Sequence, residues 1–574
     1  MKPFDHNKFV GYICEVTPQY VRMQIPSARL LHSFYFNGEI YFGGSVGSFV
    51  VIEGQEYGFL GRIFEQSLPQ GERTEITDKN INEKETLFHP IAKIELLALF
   101  DVYKPEVINK TVSRYPSVGA KVYSCSDEQM GMYISKFGVK KDDVDAPLAS
   151  LGKLTSNNSQ CNISLDSLFG RHCAVLGTTG GGKSWTIAKL LELISSETSN
   201  KCILIDATGE YSCISESMQS IELGTGKFIF DYKNLSIDEL YYLLHPSSKT
   251  QVPKLMEAIR SLKMVAIDDK LELSLYYKKN AEGQPVKDNI IKAEREKRRY
   301  EEFYYKHIVE IEDKFCNFDF NMLARQITNE CIWDTGQNNL ATSWGRKNDT
   351  DVSNCVSLMS RINNVMSTAE YNQIFGFRKT SLPDAKDLKA GIKEFLESKK
   401  SILRLDFSKV SFDYQVREIL VNAIGSYLLN EAREGVYKEN PIIVFVDEAH
   451  QFLNKSIADE YFSAKPLDAF EQISKEARKY GLFLCIATQM PRDIPLGTLS
   501  QMGTFLVHRL INEQDKKAVE SAASAANRNI LSFLPILGEG EALIVGVDFP
   551  MPLIVKINTP TKKPDSRTPK LTKR

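Results

Sequence analysis

Hydrophobic and polar positions follow a period of two over residues 8–135. Short apolar or aromatic segments, such as "FVGYICEV", "YVRMQI" and "YGFLGRIFE", alternate with polar residues, and glycines mark the turns between them. This alternation predicts half-buried β-strands, and short strands at this spacing are typical of a small barrel. We therefore expect a β-barrel domain over residues 1–140.

The pattern then changes to continuous apolar segments separated by helical ones. "RHCAVL" and "KCILIDATGEY" predict buried strands, and "SWTIAKLLELISS" between them has the spacing of a helix. The same order returns after residue 400 with "PIIVFVDEAH", "GLFLCIATQ" and "TFLVHRL". Buried strands that alternate with helices predict an α/β fold with a parallel sheet. We assign residues 141–231 and 401–556 to one such core.

Residues 232–400 interrupt this core with helical periodicity, so we predict a helical insertion. Within it, "KDNIIKAEREKRRYEEFYYKHIVEIEDKF" predicts one long charged helix with a solvated face. Residues 557–574 combine basic residues with prolines, a composition that predicts an extended basic tail.

Composition narrows the class of protein only a little. The 574 residues carry a formal net charge of -2, but a protein that binds nucleic acid needs only a local basic surface. The ten cysteines form no C-x-x-C motif, which disfavours a zinc site and is typical of reduced thiols in the cytoplasm. We find no signal peptide and no apolar segment of about 18 residues, so we expect a cytoplasmic protein without a membrane partner.

A glycine-rich stretch, "GTTGGGKSW", joins the first buried strand to its helix and fits the pattern G-x-x-x-x-G-K-S. In this pattern main-chain N–H groups curl around phosphate oxygens, the lysine reaches the β- and γ-phosphates, and the serine hydroxyl ligates Mg²⁺. We therefore predict a site for ATP and Mg²⁺, with Lys183 as a catalytic residue and Ser184 as a metal ligand. The expected nucleotide-binding residues are Gly177, Thr178, Thr179, Gly180, Gly181, Gly182, Lys183, Ser184 and Trp185.

The strand "IIVFVDEAH" supplies two acids at its carboxyl end. Asp447 is expected to hold Mg²⁺, and Glu448 to polarise the water that attacks the γ-phosphate. The strand "GLFLCIATQ" ends in Thr488 and Gln489, and we expect Gln489 to contact the γ-phosphate. Adjacent carboxylates after a buried strand favour hydrolysis over the alternative of a small-molecule kinase.

These pieces together resemble the HerA family of hexameric ATPases, which belongs with the FtsK-like DNA pumps. The resemblance is carried, in this order, by "RHCAVLGTTGGGKS", "IDATGEY", "VDEAHQFL", "EARKYGLFLCIATQMPRDIP" and "LSQMGTFLVHRL". The leading segment with "VGSFVVIEGQEYGFLGRIFE" looks like the family's HAS-barrel. The resemblance implies a RecA-like P-loop ATPase core, a homohexameric ring, and DNA that passes through the central channel without sequence recognition.

The resemblance also implies that an arginine of the neighbouring subunit completes each ATP site. Arg478 in "EARKYG" and Arg509 in "HRL" are the two candidates for this catalytic role, and we prefer Arg478. Asp206, Glu210 and Tyr211 of "IDATGEY" are expected to line the site. Glu210 either orders magnesium or water, or belongs to a purely structural turn.

The function implied is an ATP-hydrolysing DNA translocase or helicase that acts with a separate nuclease or sirtuin-like, NAD-consuming effector in antiviral defence. The alternative is a ring scaffold that activates an effector under the control of ATP without moving along DNA. Lys278–Lys287 is a weak candidate for a pore loop, and residues 454–470 are a candidate extension of a loop at the subunit interface.

Overall fold

The structure of the protein is a computed structural model that describes residues 4–565 with internal gaps. The gaps are positions 33, 37, 42, 74–87, 107, 110–112, 140–144, 157–158, 213, 280, 282–284, 337–340, 379–380, 412–414, 454–466 and 524–527. Most of the candidate interface loop (454–470), part of the candidate pore loop and the tail from residue 566 onward therefore lie outside the described residues.

Six antiparallel strands close into a barrel in the N-terminal part of the chain, as the period-two pattern predicts. The inward positions carry apolar side chains, among them Val10, Ile13, Met23, Ile52 and Ile94. The prediction of a small barrel is therefore confirmed. In the order in which they pair, its strands are Val21–Gln24, Phe9–Val16, Lys121–Ser124, Phe49–Ile52, Tyr57–Ser67 and Ile91–Asp101.

Eleven strands form the central sheet of the α/β core. Seven consecutive strands, from Thr504–Val507 to Met218–Glu222, are parallel, and the four strands on the other side are antiparallel. The order across the sheet is Gln160–Ser164, Leu148–Leu154, Leu553–Ile557, Glu541–Gly546, Thr504–Val507, Cys173–Leu176, Leu482–Thr488, Ile442–Val446, Lys201–Asp206, Ile402–Asp406 and Met218–Glu222.

We name three of these strands by their role: the phosphate-loop strand (Cys173–Leu176), the acidic strand (Ile442–Val446) and the glutamine strand (Leu482–Thr488). All three are parallel neighbours, so their carboxyl ends meet at one edge of the sheet. In such sheets ligands bind at this edge, where the loops that follow the strands converge.

Both faces of the sheet are covered, which explains why its strands are apolar throughout rather than alternating. Ala174 and Leu176 point into a core shared with the helix Val416–Arg433 and with the insertion. Cys173 and Val175 point into a second core, which also contains the helix Lys183–Glu197 and apolar residues of the barrel wall.

The α-helices of the described residues follow in chain order. They are Gln70–Arg73, Asp127–Ile134, Leu165–Phe169, Lys183–Glu197, Ile237–Leu244, Gln251–Ile267, Arg298–Lys306, Ile308–Ile311, Leu323–Glu330, Asp349–Ser367, Ala369–Phe375, Leu388–Glu397, Val416–Arg433, Ala469–Glu476, Leu496–Leu499, Glu513–Ala522 and Arg528–Leu531. None of them combines the length and the apolar character that a membrane crossing requires.

The prediction of one long charged helix in the insertion is wrong. Its first residues, 287–290, belong to the strand Pro285–Ile290, which pairs with Tyr276–Lys279, and helix begins only at Arg298. The reason is tertiary: Gln326 accepts a hydrogen bond from the Ile290 N–H at 2.9 Å and holds the segment extended. Buried interactions, rather than the charge pattern, therefore decide the local structure here.

Candidate active site

The phosphate loop, residues 177–182, follows the phosphate-loop strand and opens the helix Lys183–Glu197. Gly182 has φ 108°, a left-handed conformation that an L side chain rarely adopts. Gly177 allows a close approach of the next strand's loop, because a Cβ there would lie 2.6 Å from the Cβ of His508. The glycines are therefore required by the backbone geometry, and the loop leaves the N-terminus of the helix free for an anion.

Lys183 is the cation at the centre of the site. Its side chain is buried, and its Nζ donates a hydrogen bond of 3.4 Å to the main-chain oxygen of Thr178. Burial lowers the pKa of Lys183, while the neighbouring carboxylates of Glu448, Asp447 and Glu210 oppose that shift. The lysine thus lies between the loop and a group of acids, as a phosphate-binding lysine must.

Asp447 and Glu448 follow the acidic strand directly. Asp447 is buried at the sheet edge, and burial together with the charges of Glu448, Asp206 and Glu210 raises its pKa well above the ordinary value. Burial also raises the pKa of Glu448, and Lys183 partly offsets this effect. A concentration of negative charge with one nearby lysine is an environment that favours binding of a further cation.

The glutamine strand lies between the phosphate-loop strand and the acidic strand, and it brings its last residue, Thr488, and the following Gln489 to the same edge of the sheet. The Thr179 hydroxyl donates a 2.5 Å hydrogen bond to Oε1 of Gln489, and Gln489 also hydrogen-bonds the Glu448 carboxylate. Gln489 therefore connects the phosphate loop to the catalytic acid candidate, which is the position a γ-phosphate sensor needs. Thr488 Oγ1 lies 3.1 Å from Nδ1 of His450 and fixes the turn after the acidic strand.

The "IDATGEY" segment also reaches the site. Asp206 is fully buried and accepts hydrogen bonds from the N–H groups of Gly209 at 2.8 Å and Tyr211 at 3.2 Å. These bonds fold the chain back so that Glu210 hydrogen-bonds Ser184, and the second carboxylate oxygen of Glu210 is buried without a hydrogen-bond partner among the described residues. Burial raises the pKa of Glu210.

Arg404 holds this segment from the neighbouring strand, and sequence reasoning missed it. Its Nε lies 2.7 Å from Oδ2 of Asp206, and its Nη2 lies 3.0 Å from Oδ2 of Asp406. All three residues are buried. The only sequence signal is an arginine inside the otherwise apolar "SILRLDF", because a buried arginine requires an anionic partner.

The two candidate arginines lie at opposite edges of the sheet. Arg478 is in the short helix Ala477–Tyr480, which precedes the glutamine strand, and its charge contributes to lowering the pKa of His172 at the same edge. A strand of this length separates it from the phosphate loop of its own chain by roughly 20 Å. Arg509, in contrast, is a neighbour of that loop: its main-chain oxygen accepts a 3.0 Å hydrogen bond from the Thr178 N–H.

His508 is a further residue that the sequence analysis did not single out. It is fully buried between the phosphate loop and the helix Lys183–Glu197, with Nε2 2.9 Å from the Thr186 hydroxyl and Nδ1 2.8 Å from the Glu541 oxygen. Burial lowers its pKa to about 4, so the ring is neutral at pH 7 and supports the loop from behind.

Comparisons with known proteins identify the relatives of this chain. The family model of the helicase HerA central domain matches residues 149–432, and that of the helicase HerA-like C-terminal domain matches residues 424–574. A probable helicase of Methanocaldococcus jannaschii is 24% identical over 467 residues, which are 77% of this chain and 76% of the relative. The DNA double-strand break repair helicase HerA of Sulfurisphaera tokodaii is 24% identical over 474 residues, 81% of this chain and 77% of the relative.

Solved structures add only a weak likeness. VirB4 of Thermoanaerobacter pseudethanolicus matches with a TM-score of 0.46 at 15% identity, over 72% of this chain and 97% of that one. The bacterial conjugative coupling protein TrwB matches with a TM-score of 0.42 at 13% identity, over 78% and 94% of the two chains.

The site combines a phosphate loop, a buried lysine and two acids that follow the acidic strand, which lies two strands from the phosphate-loop strand. This is the arrangement of a nucleotide-hydrolysing enzyme. The two family models together extend from residue 149 to residue 574. The chain belongs to the HerA family, and it is a P-loop ATPase of the helicase class with a RecA-like core.

Proposed function

We propose that the chain is an ATP-driven DNA translocase that works as a homohexameric ring, in which Arg478 of one subunit completes the ATP site of the next. The observation that carries this proposal is the position of Arg478 at the edge of the sheet opposite the phosphate loop. An arginine there has no access to the nucleotide of its own chain. A ring with head-to-tail interfaces can bring such an edge against the ATP site of a neighbour.

Hydrolysis follows from the residues at the carboxyl edge. A water bound beside Glu448 attacks the γ-phosphorus, a new phosphorus–oxygen bond forms, and the bond to the bridging oxygen breaks to release ADP. Glu448 accepts the proton of the water, and the raised pKa of its carboxyl makes it a better base. Lys183 neutralises the phosphoryl oxygens, and Arg478 of the neighbour stabilises the charge of the transition state.

Magnesium fits the donor set beside Lys183. The Ser184 hydroxyl, the buried Asp447 carboxylate and the unpartnered oxygen of Glu210 supply hard oxygen ligands at one place. When bound with the nucleotide, the ion would neutralise β- and γ-phosphate oxygens. The pKa values of Asp447 and Glu210 are raised because burial and neighbouring carboxylates disfavour their charged forms. A bound cation would stabilise these charged forms.

DNA as the substrate is supported by the name of the Sulfurisphaera tokodaii relative, a DNA double-strand break repair helicase. A ring presents six copies of the same loops to a regular line of phosphates, so it can grip DNA without reading sequence. On the basis of the family resemblance, we also propose that the ring acts with a separate nuclease or sirtuin-like effector in antiviral defence.

The role of Arg478 is tested with mixed rings. Arg478→Ala removes the arginine supplied to a neighbour, and Glu448→Gln removes the base of a subunit's own site, so each pure variant is inactive. Mixing them recreates complete sites wherever an Arg478→Ala subunit receives the arginine of a Glu448→Gln neighbour. We expect turnover to return in the mixture, with a maximum at an intermediate ratio, and its absence at every ratio would count against the role in trans.

Translocation is tested with double-stranded DNA that carries a protein roadblock. The ring is expected to hydrolyse ATP faster with DNA and to remove the roadblock, and both effects should disappear in Glu448→Gln. An effector that is activated equally by wild type and Glu448→Gln, with no roadblock removal, would instead identify a scaffold. ADP that forms only when a small acceptor is added, without release of free phosphate, would identify a kinase.

A further inference from the structure

The loop that contains Arg509 is fixed to the phosphate loop by main-chain contacts. The Arg509 oxygen accepts hydrogen bonds from both the N–H and the hydroxyl of Thr178, at 3.0 and 3.1 Å. One residue earlier, the His508 N–H donates to the Leu176 oxygen at 2.7 Å and extends the parallel pairing with the phosphate-loop strand. The backbone of Arg509 therefore belongs structurally to the nucleotide site of its own chain.

His508 makes this placement rigid. It packs where Gly177 and Gly181 lack a side chain, and both of its ring nitrogens are in contact with neighbours, the Thr186 hydroxyl and the Glu541 oxygen. A buried aromatic ring fixed at both nitrogens has little freedom to shift. The residue that follows it is held against the loop by the same contacts.

The guanidinium of Arg509 has no anionic partner among the described residues. Its Nε is buried without a hydrogen-bond partner among the described residues, and a buried donor that is left unsatisfied is costly. Two other arginines of the α/β core are paired: Arg492 lies 3.6 Å from Asp515, and Arg404 lies 2.7 Å from Asp206. A cation left unpaired beside a phosphate loop is suited to an anion that arrives with the substrate.

We infer that Arg509 is a catalytic residue that acts in cis, binding the β- and γ-phosphates of the nucleotide held by its own phosphate loop. It lies on one flank of the loop, after the strand Thr504–Val507, and Gln489 lies on the other flank, after the glutamine strand. The two strands border the phosphate-loop strand on either side. Arg509 thus supplies the positive charge of one flank, while Arg478 remains the arginine supplied to a neighbour.

This inference depends on the ATPase activity of the proposed function. Mixed-ring experiments distinguish a role of Arg509 in cis from the proposed role of Arg478 in trans. A residue that acts in cis fails together with its own site, so an Arg509→Ala subunit cannot be completed by any neighbour. A residue that acts in trans fails in the adjacent site and can be complemented. The two arginines therefore predict opposite outcomes in the same experiment.

The first experiment mixes Arg509→Ala with Glu448→Gln over all ratios and measures phosphate release. We expect Arg509→Ala alone to lose about 100-fold in turnover, the size of effect seen when one donor to a transition-state oxyanion is removed. No ratio should restore activity. Recovery of turnover in the mixture would overturn the cis assignment.

The second experiment does not depend on assembly and decides the matter if no mixture of any variants is active. ATP binding is measured by titration to Glu448→Gln chains diluted until mass photometry detects only monomers, with and without Arg509→Ala. A cis contact predicts at least a tenfold weaker affinity for ATP in the double variant, with a smaller loss for ADP. An unchanged affinity would overturn the inference.

Two control variants accompany both experiments. Arg509→Lys keeps the charge and should retain part of the ATP affinity that Arg509→Ala loses. Arg492→Ala removes an arginine at the same edge that is already paired with Asp515, and it should change ATP affinity less than twofold. An equal loss in Arg492→Ala and Arg509→Ala would mean a nonspecific electrostatic effect and would contradict the assignment.

Discussion

At the scale of single residues, the chemistry depends on where charge is buried. Burial raises the pKa values of Asp447, Glu448 and Glu210, and the charge of neighbouring carboxylates adds to the rise for Asp447 and Glu210. Lys183 is the cation that moderates this repulsion before a nucleotide arrives. The site is therefore electrostatically incomplete on its own, and substrate and metal ion together balance it.

Replacing the catalytic acid tests its role directly. Glu448→Gln keeps the shape of the side chain but removes the base, so ATP should still bind while the rate of phosphate release falls at least 100-fold. Turnover assays and nucleotide titration measure the two effects separately. Glu439→Gln alters an exposed acid before the same strand and should leave both quantities unchanged; near-normal turnover in Glu448→Gln would show that another group is the base.

A second residue-scale prediction concerns pH. Burial lowers the pKa of His508 to about 4, below the value of about 6.5 in an unfolded chain, so the unfolded state takes up the proton first as the pH falls. The stability that neutral His508 provides is complete above about pH 6.5 and is lost as the pH falls toward 4. Over that range its contribution should decrease by about 1.4 kcal/mol per pH unit.

The measurement is the difference in unfolding free energy between wild type and His508→Asn as a function of pH. That difference should shrink between pH 6.5 and 4.5, because only the wild type carries the buried ring. A flat difference for His508→Asn would contradict the buried, neutral state of this ring.

At the scale of elements, the parallel strands bring residues together that are distant in sequence. The phosphate loop and the two acids could be predicted, because each follows an apolar strand and the carboxyl ends of parallel strands share an edge. The barrel could be predicted from its alternation. The lone arginine in "SILRLDF" indicates a buried anionic partner but does not identify Asp206, because contacts across the sheet join residues distant in sequence. For the same reason residues 287–290, the end of a strand, were wrongly predicted as part of a helix.

The buried pair that joins two adjacent strands gives an element-scale prediction. Arg404→Met leaves Asp206 buried without its cation, so the free energy of unfolding should fall by about 3–5 kcal/mol. Urea denaturation measures the change. Lys409→Met breaks a pair with Glu222 near the same sheet edge in which the lysine is 58% exposed, and it should cost much less than Arg404→Met because solvent screens the pair. Equal losses would contradict a special role for the buried pair.

At the scale of the whole molecule, the proposed ring makes hydrolysis a property of the assembly. The barrel, the sheet and the insertion share two continuous cores, so each subunit is a well-packed unit on which an interface can form. The arginine that would complete the site is held at the opposite edge of the same sheet. Turnover per chain should therefore depend on protein concentration.

Dilution tests this dependence. The rate of phosphate release per chain is expected to fall steeply at the concentration where light scattering records loss of the ring. ATP affinity, which rests mainly on the phosphate loop, should change much less. A constant rate per chain down to the monomer would contradict shared sites.

One contact in the structure makes the fluorescence of Trp185 a possible measure of nucleotide binding. Nζ of Lys563 lies 5.0 Å from the centre of the Trp185 ring, in the first turn of the helix that follows the phosphate loop. A charged amine near an indole affects its emission, and a nucleotide that enters beside this turn changes the surroundings of the ring. The other two tryptophans, Trp333 and Trp344, lie in the insertion. Phenylalanine at both of those positions would leave intrinsic fluorescence as a label-free record of nucleotide arrival and departure.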